Sequence, residues 1–233
     1  MTATGQTARV VDDGTLLGAL DESARNELFT RGVRRRYPAG STLFAEGDRS
    51  DRCFLLEHGN VKIVQVTADG REVLLGVRGA GELIGEWSVI DDEPRSASAV
   101  ALEPVDAVQL DAGQFLGFLE GSPKAAMWLV RSVLSRIRDS DRKRAEFSAA
   151  DAGGRLARRL AELADEHGEA VDAGVQISLP LSQEELAGWT GASREAVAKA
   201  LAQFRSRGWL STERRRITVH DLEALRRRGA GPS

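Results

Sequence analysis

The sequence predicts an α+β chain in three successive parts: a β-roll, one long helix, and a small helical domain carrying a basic hairpin. Three observations predict it. Between Arg34 and Leu110, short runs of Val, Ile, Leu and Phe are separated by glycines at Gly40, Gly47, Gly59, Gly70, Gly81 and Gly85, the pattern of many short strands in a barrel or roll. After Ser122-Pro123 the pattern turns helical and stays so to about Phe147. Near the C-terminus two short helical stretches are joined by Thr190-Gly191-Ala192, the arrangement of a helix-turn-helix.

Taken in order, residues 1–14 are small and polar and read as a flexible arm. Residues 15–122 form the roll domain. Leu16, Leu17, Leu20, Ala24, Leu28 and Phe29 fall near helical spacing, and Asp21 is placed to cap a second helix. The stretch CFLLEHGNVKIVQVTADGREVLLGV reads as three strands, with Asp69-Gly70 a two-residue hairpin signal; further strands fit Ser96–Val100 and Ala107–Leu110. In residues 123–147, Ala126, Val130, Val133, Ile137, Ser140, Arg144 and Phe147 follow a three-four repeat. That helix is roughly 35 Å long, and so narrow a stripe fits a coiled-coil seam between two copies; a helix packed only on its own roll is the other arrangement compatible with it. Residues 148–154 are small and read as a hinge, and residues 155–233 as a second domain. There Leu156, Leu160 and Leu163 mark a helix, DEHGEAVDAG a polar loop and VQISL a strand.

Composition narrows the function classes. The single cysteine, Cys53, excludes internal disulfides and all-cysteine metal or iron–sulfur sites within one chain. His58, His167 and His220 show no metal-ligand spacing. No run has the length of a membrane span and the N-terminus lacks a basic-then-apolar signal, so a cytoplasmic protein with no membrane partner is expected. The net charge of −3 hides an asymmetry. Residues 1–147 carry 19 basic and 23 acidic side chains, whereas residues 178–233 carry 10 basic and 6 acidic. A basic end on an acidic chain suggests an anionic partner there.

Two stretches carry chemistry. In GELIGEWSVIDDEPRSASAV, residues 81–100, Gly85-Glu86 is followed after eight residues by Arg95-Ser96. Arginine and free turn N–H groups suit a phosphate. A carboxylate instead accepts hydrogen bonds from sugar hydroxyls. The spacing equally permits Glu86 and Arg95 to pair with each other across a turn. In LSQEELAGWTGASREAVAKALAQFRSRGWL, Ser182 and Glu185 form a capping box, and Ser193 caps a second helix with Val197, Leu201 and Phe204 inward. Its outer face presents Ser193, Arg194, Glu195 and Lys199, types able to bond guanine and cytosine edges. Arg214, Arg215 and Arg216 lie in a hairpin beside it, placed for phosphate contacts.

These residues resemble a CRP/FNR-type bacterial transcription regulator over nearly the whole chain. GELIGEWSVIDDEPRSASAV resembles the phosphate-binding cassette of cyclic-nucleotide-binding domains, GASREAVAKAL the family's recognition helix, and GGRLARRLAELA the helix opening its DNA domain. The resemblance implies a cyclic-nucleotide-binding β-roll, a long dimerisation helix and a winged helix-turn-helix domain, with no enzymatic activity. It places Gly85 and Glu86 at the ribose, Arg95 and Ser96 at the cyclic phosphate, and Arg194, Glu195 and Lys199 on double-stranded DNA. Aligned through the long helix, Ser140 and Asp141 fall where cAMP-responsive relatives place two small hydroxyl residues facing the purine. Asp141 departs from that pattern: an acceptor-only carboxylate matches the N1–H and N2–H of guanine. It is also free to pair with Arg138 or Arg142 in solvent. The expected effector is cAMP, with cGMP or a cyclic dinucleotide, or ligand-independent DNA binding, as alternatives. A homodimer and RNA polymerase are the expected protein partners.

Overall fold

The computed structural model describes residues 15–49, 51–68 and 70–230, leaving out the side chains of residues 145–149. The expected arm at 1–14, the side chain of Phe147 and Asp69 lie outside the described residues.

The chain opens with α1 (Leu16–Ala19) and α2 (Glu22–Arg31), the latter capped by the Asp21 carboxylate accepting from Ala24 N–H. The roll is built from β1 (Val33–Tyr37), β2 (Thr42–Phe44), β3 (Arg52–His58), β4 (Val61–Val66), β5 (Glu72–Arg78), β6 (Leu83–Ile84), the short helix α3 (Trp87–Asp91), β7 (Ser98–Ala101) and β8 (Val105–Asp111). They form two antiparallel sheets, ordered β1-β8-β3-β6 and β2-β7-β4-β5. Phe54, Leu56, Val61, Ile84, Ala99, Val105 and Ala107 fill the space between them. The other face of the first sheet, with Cys53, Leu55, Val108 and Leu110, packs under α1, α2 and α4 (Ala112–Gly121). Covered on both faces, β3 is buried continuously from Cys53 to Leu56, which is why it reads as an unbroken apolar run.

The β4–β5 connection is longer than a two-residue hairpin. Val66 pairs with Glu72, Thr67 N–H donates to the Arg71 carbonyl, and Gly70 stands at φ +80°. This is a three-residue loop whose last residue needs left-handed backbone.

The long helix α5 (Pro123–Ala149) runs about 40 Å. Its roll-facing row is Ala125, Trp128, Ser132, Arg136, Asp139 and Lys143, all buried or half-buried. Met127, Val130, Leu134 and Ile137 are exposed on the opposite side. The uncovered seam therefore follows 127, 130, 134 and 137, not the expected 126, 130, 133 and 137; Ala126 and Val133 are half-buried. Both stripes have three-four spacing, and packing against the roll selects between them.

The expected seven-residue hinge contracts to Ala150 and Asp151, because α5 continues to Ala149 and α6 (Ala152–His167) begins immediately, capped by Asp151. Arg155 holds this elbow, donating to the carbonyls of Ala150, Thr190 and Gly191. The second domain continues with β9 (Gly168–Val171), β10 (Gly174–Ile177), α7 (Gln183–Thr190), α8 (Arg194–Ser206), β11 (Leu210–Glu213), β12 (Arg216–Val219) and α9 (Leu222–Gly229). Its sheet is ordered β11-β12-β10-β9. Strand β9 lies where a polar loop was expected; it forms because its backbone pairs with β10, although its side chains stay largely in solvent. Leu156, Leu160, Leu163, Leu186, Val197, Leu201, Phe204 and Leu225 form the core, joined by Val77 and Leu102 from the roll. Each such fully buried side chain contributes roughly 1.5–3 kcal/mol.

Candidate functional site

The Gly81–Val100 stretch folds as a turn, β6, α3 and a return into β7. Gly85 stands at φ +74°, and a Cβ there would lie 2.7 Å from Nη1 of Arg95. Glycine is required twice over, by backbone angle and by the guanidinium beside it. Backbone bonds from Gly47 N–H to the Arg95 carbonyl (2.8 Å) and from Arg95 N–H to the Asp48 carbonyl (2.9 Å) pin Arg95 to the preceding loop. Its side chain, 3% exposed, lies over the Phe44 ring at 4.5 Å and donates to the carbonyls of Gly85 and Arg52. Burial pulls its pKa below the usual guanidinium value, against the opposing influence of Cys53, Glu86 and Asp48. Ser96 is exposed and its carbonyl accepts from Gln65 Nε2 at 3.3 Å.

Glu86 is 2% exposed and accepts from Arg136 Nη1 of α5 at 2.5 Å. Arg136 also lies 5.8 Å from the Trp87 ring centroid. The partner of Glu86 is therefore a residue fifty positions away, missed in the sequence reading. The available signal was a basic side chain one turn before Ser140, on the helix expected to meet this loop.

Ser140 and Asp141 do not join this group. Both are exposed, and neither makes a hydrogen bond or ion pair with residues 81–100. Asp141 continues the uncovered row of α5 and lies 4.0 Å from Arg144, rather than pairing with Arg138 or Arg142. Arg142 turns to Asp139 and to Glu162 of α6, the latter at 3.1 Å.

The second group lies on α7, α8 and the β11–β12 hairpin. Ser182 and Glu185 make both bonds of the capping box. Gly191, at φ +56°, ends α7, and Ser193 caps α8 by accepting from Ala196 N–H. Its hydroxyl oxygen is thus occupied by the helix end. Arg194, Glu195 and Lys199 are exposed on α8, while Val197, Leu201 and Phe204 are buried behind them. Arg214, Arg215 and Arg216 are exposed at the hairpin tip, with Arg215 at φ +62°. Arg205 on α8 donates to Thr212 Oγ1 at 3.2 Å, tying the helix to the hairpin. Among the described residues no cluster has metal-ligand composition and no helix is long and apolar enough to cross a membrane.

Comparison with known proteins agrees with this division. The cyclic nucleotide-binding domain family matches residues 34–122, and the Crp-like helix-turn-helix domain family matches residues 154–228. A CRP-like cAMP-activated global transcriptional regulator of Mycobacterium tuberculosis is 37% identical over 82% of this chain and 86% of its own length. The cyclic AMP receptor protein of Thermus thermophilus is 31% identical over 75% of this chain and 78% of its own. The solved c-di-GMP responsive regulator CLP of Xanthomonas campestris shares the fold, with TM-score 0.73 at 24% identity over 86% of this chain and 99% of that one. The chain belongs to the CRP/FNR family of transcription regulators, a family of DNA-binding proteins and not of enzymes.

Proposed function

We propose that this protein is a homodimeric, cAMP-responsive regulator that binds double-stranded DNA through α8 and the β11–β12 wing. The observation that carries the reading is the Glu86–Arg136 pair, which joins the nucleotide cassette to the helix that bears the uncovered apolar row. A ligand bound at the cassette meets both elements at once. Only a ligand with different contacts in two helix arrangements can shift the balance between them.

In this reading the cyclic phosphate is taken by Arg95 and Ser96, and ribose hydroxyls donate to Glu86 with Gly85 beside it. The two named relatives, cAMP-activated or cAMP-receptor proteins, support cAMP as the effector. The row Met127, Val130, Leu134 and Ile137 is covered by a second copy of α5. That pairing sets two α8 helices into successive major grooves, about 34 Å apart. Arg194, Glu195 and Lys199 read base edges, and Arg214, Arg215 and Arg216 hold phosphates. RNA polymerase is the further protein partner in this reading.

Asp141 favours a second reading of the effector. It lies on the row a second copy covers, and a carboxylate there accepts from guanine N1–H and N2–H better than from adenine. Calorimetric titration with cAMP, cGMP and cyclic dinucleotides tests both readings. Tight cAMP binding supports the first; a cGMP preference that Asp141→Ser abolishes supports the second. No binding of any of them leaves a ligand-independent regulator.

A further inference from the structure

Helix α7 does not stand free of the roll. It lies along β5, the outer strand of the β2-β7-β4-β5 sheet, and covers an edge that would otherwise be open. The approach is close: a Cβ on Gly188 would lie 3.0 Å from the Glu72 carbonyl oxygen and 3.5 Å from Val73 Cα. At the N-terminal end of α7, Lys62 of β4 reaches across the boundary. Its Nζ is 2.6 Å from Glu72 Oε1 and 2.7 Å from Glu185 Oε1. The Lys62 and Glu185 side chains are only 15% and 19% exposed, so water screens this pair far less than a surface one.

The second oxygen of Glu185 is already committed. Oε2 accepts from Ser182 N–H at 2.6 Å, so the capping box fixes the carboxylate before Lys62 meets it. Although burial acts against it, Glu185 and Glu72 together hold the Lys62 ammonium above its ordinary pKa. One carboxylate therefore ends a helix and docks a domain.

The other neighbour of β4 is β7, which starts two residues after Ser96. Lys62 is paired with Val100 and Val64 with Ser98, and Gln65 bonds the Ser96 carbonyl. Strand β4 thus runs beside the last residues of the cassette stretch and, through the Lys62 side chain, meets α7.

We infer that Lys62 is a positioning residue: its ion pair with Glu185 seats α7 on β5 and so transmits the state of the cassette to the recognition helix. The transmission to a nucleotide rests on the function proposed above; the seating does not. Apolar contact through Val77 and Leu102 is non-directional, whereas the ion pair selects one placement of α7 along the strand.

The test is hydrogen exchange on the full-length protein, alone and with cAMP, for wild type, Lys62→Met, Glu185→Gln, the double variant and Lys62→Arg. Glutamine still caps α7, so Glu185→Gln removes the charge and keeps the helix end. Both single variants are expected to exchange on the order of tenfold faster at residues 72–75 and 183–190, with β3 and β8 unchanged. The double variant should be no faster than either single one, and Lys62→Arg should restore protection. The factor by which cAMP raises DNA affinity should fall in Lys62→Met while cAMP affinity of the roll is kept. Unchanged exchange at both segments overturns the inference, as does acceleration spread through the whole roll. A wild type indifferent to cAMP counts against the nucleotide reading alone, and the exchange result still decides the role of Lys62.

Discussion

The two regions proposed to take anions are built on opposite principles. In the cassette the two charges assigned to the site are desolvated: Arg95 and Glu86 are 3% and 2% exposed, each locked by named partners. On the α8 and wing face Arg194, Lys199, Arg214, Arg215 and Arg216 are exposed. A buried guanidinium forms hydrogen bonds in a low-dielectric setting where each is worth more, and its geometry is set before a ligand arrives. An exposed one is screened by salt and works by number and by release of counterions. A small ligand that must be recognised atom by atom suits the first; a long polyanion suits the second.

Breaking the cassette should have the larger effects. Arg95→Leu removes the charge-assisted donor without opening the roll, since its place over Phe44 stays apolar. Nucleotide affinity is expected to fall by at least about a hundredfold, while DNA binding without nucleotide is retained; titration calorimetry and gel shift check the two halves. Equal nucleotide affinity in variant and wild type would sink the cassette assignment.

Arg136→Leu leaves Glu86 buried and unpaired. Stability should drop by about 3 kcal/mol, the lower end for orphaning a buried charge, because Arg136 is itself 26% exposed. The double variant Arg136→Leu/Glu86→Leu should regain most of that in urea denaturation, since it is the lone charge that is costly. A double variant less stable than Arg136→Leu argues that Glu86 has a second partner.

The DNA face should respond in smaller steps. Arg194→Ala is expected to cost about 1–3 kcal/mol on the specific site and to relax preference at one base position. Unaltered site preference in a selection experiment would move base reading off α8. Arg215→Ala should weaken all sequences alike and reduce the salt slope by about one. A sequence-dependent loss there would place Arg215 on bases instead of phosphates.

Legibility followed sequence distance. Asp21, Ser182 with Glu185, and Ser193 all cap the helices expected of them, since a cap bonds an N–H only two or three residues away. Helix α4 was overlooked although Asp111 and Gln114 form a capping box as complete as that of α7. Its short apolar sequence follows directly on β8 and merges with the strand run before it. Helix α9 was missed behind its arginine run, of which Arg226 pairs with Asp165 and Arg228 with Asp151 while Ala224 and Leu225 face inward.

The candidate site divides along the same line. Local pattern marked Gly85, Glu86, Arg95 and Ser96 as one loop, because their chemistry needs only a tight turn. It left Glu86 to pair with Arg95 or to bond a ligand, and the partner found is Arg136. On α5 the period alone pointed to 126, 130, 133 and 137 as the seam, and packing against the roll leaves 127, 130, 134 and 137 uncovered instead.

The sequence by itself determined the order of the three parts, the caps at Asp21, Ser182 and Ser193, the turn at Gly191, and the family. Those depend on hydrophobic period and on short-range hydrogen bonds, both written in consecutive residues. Only the tertiary structure decided that Glu86 meets Arg136, that Asp141 lies on the uncovered row, and that Lys62 meets Glu185 across 123 residues. A long side chain on a helix or strand has many charged partners compatible with its spacing, and only burial of both ends in one place selects one of them.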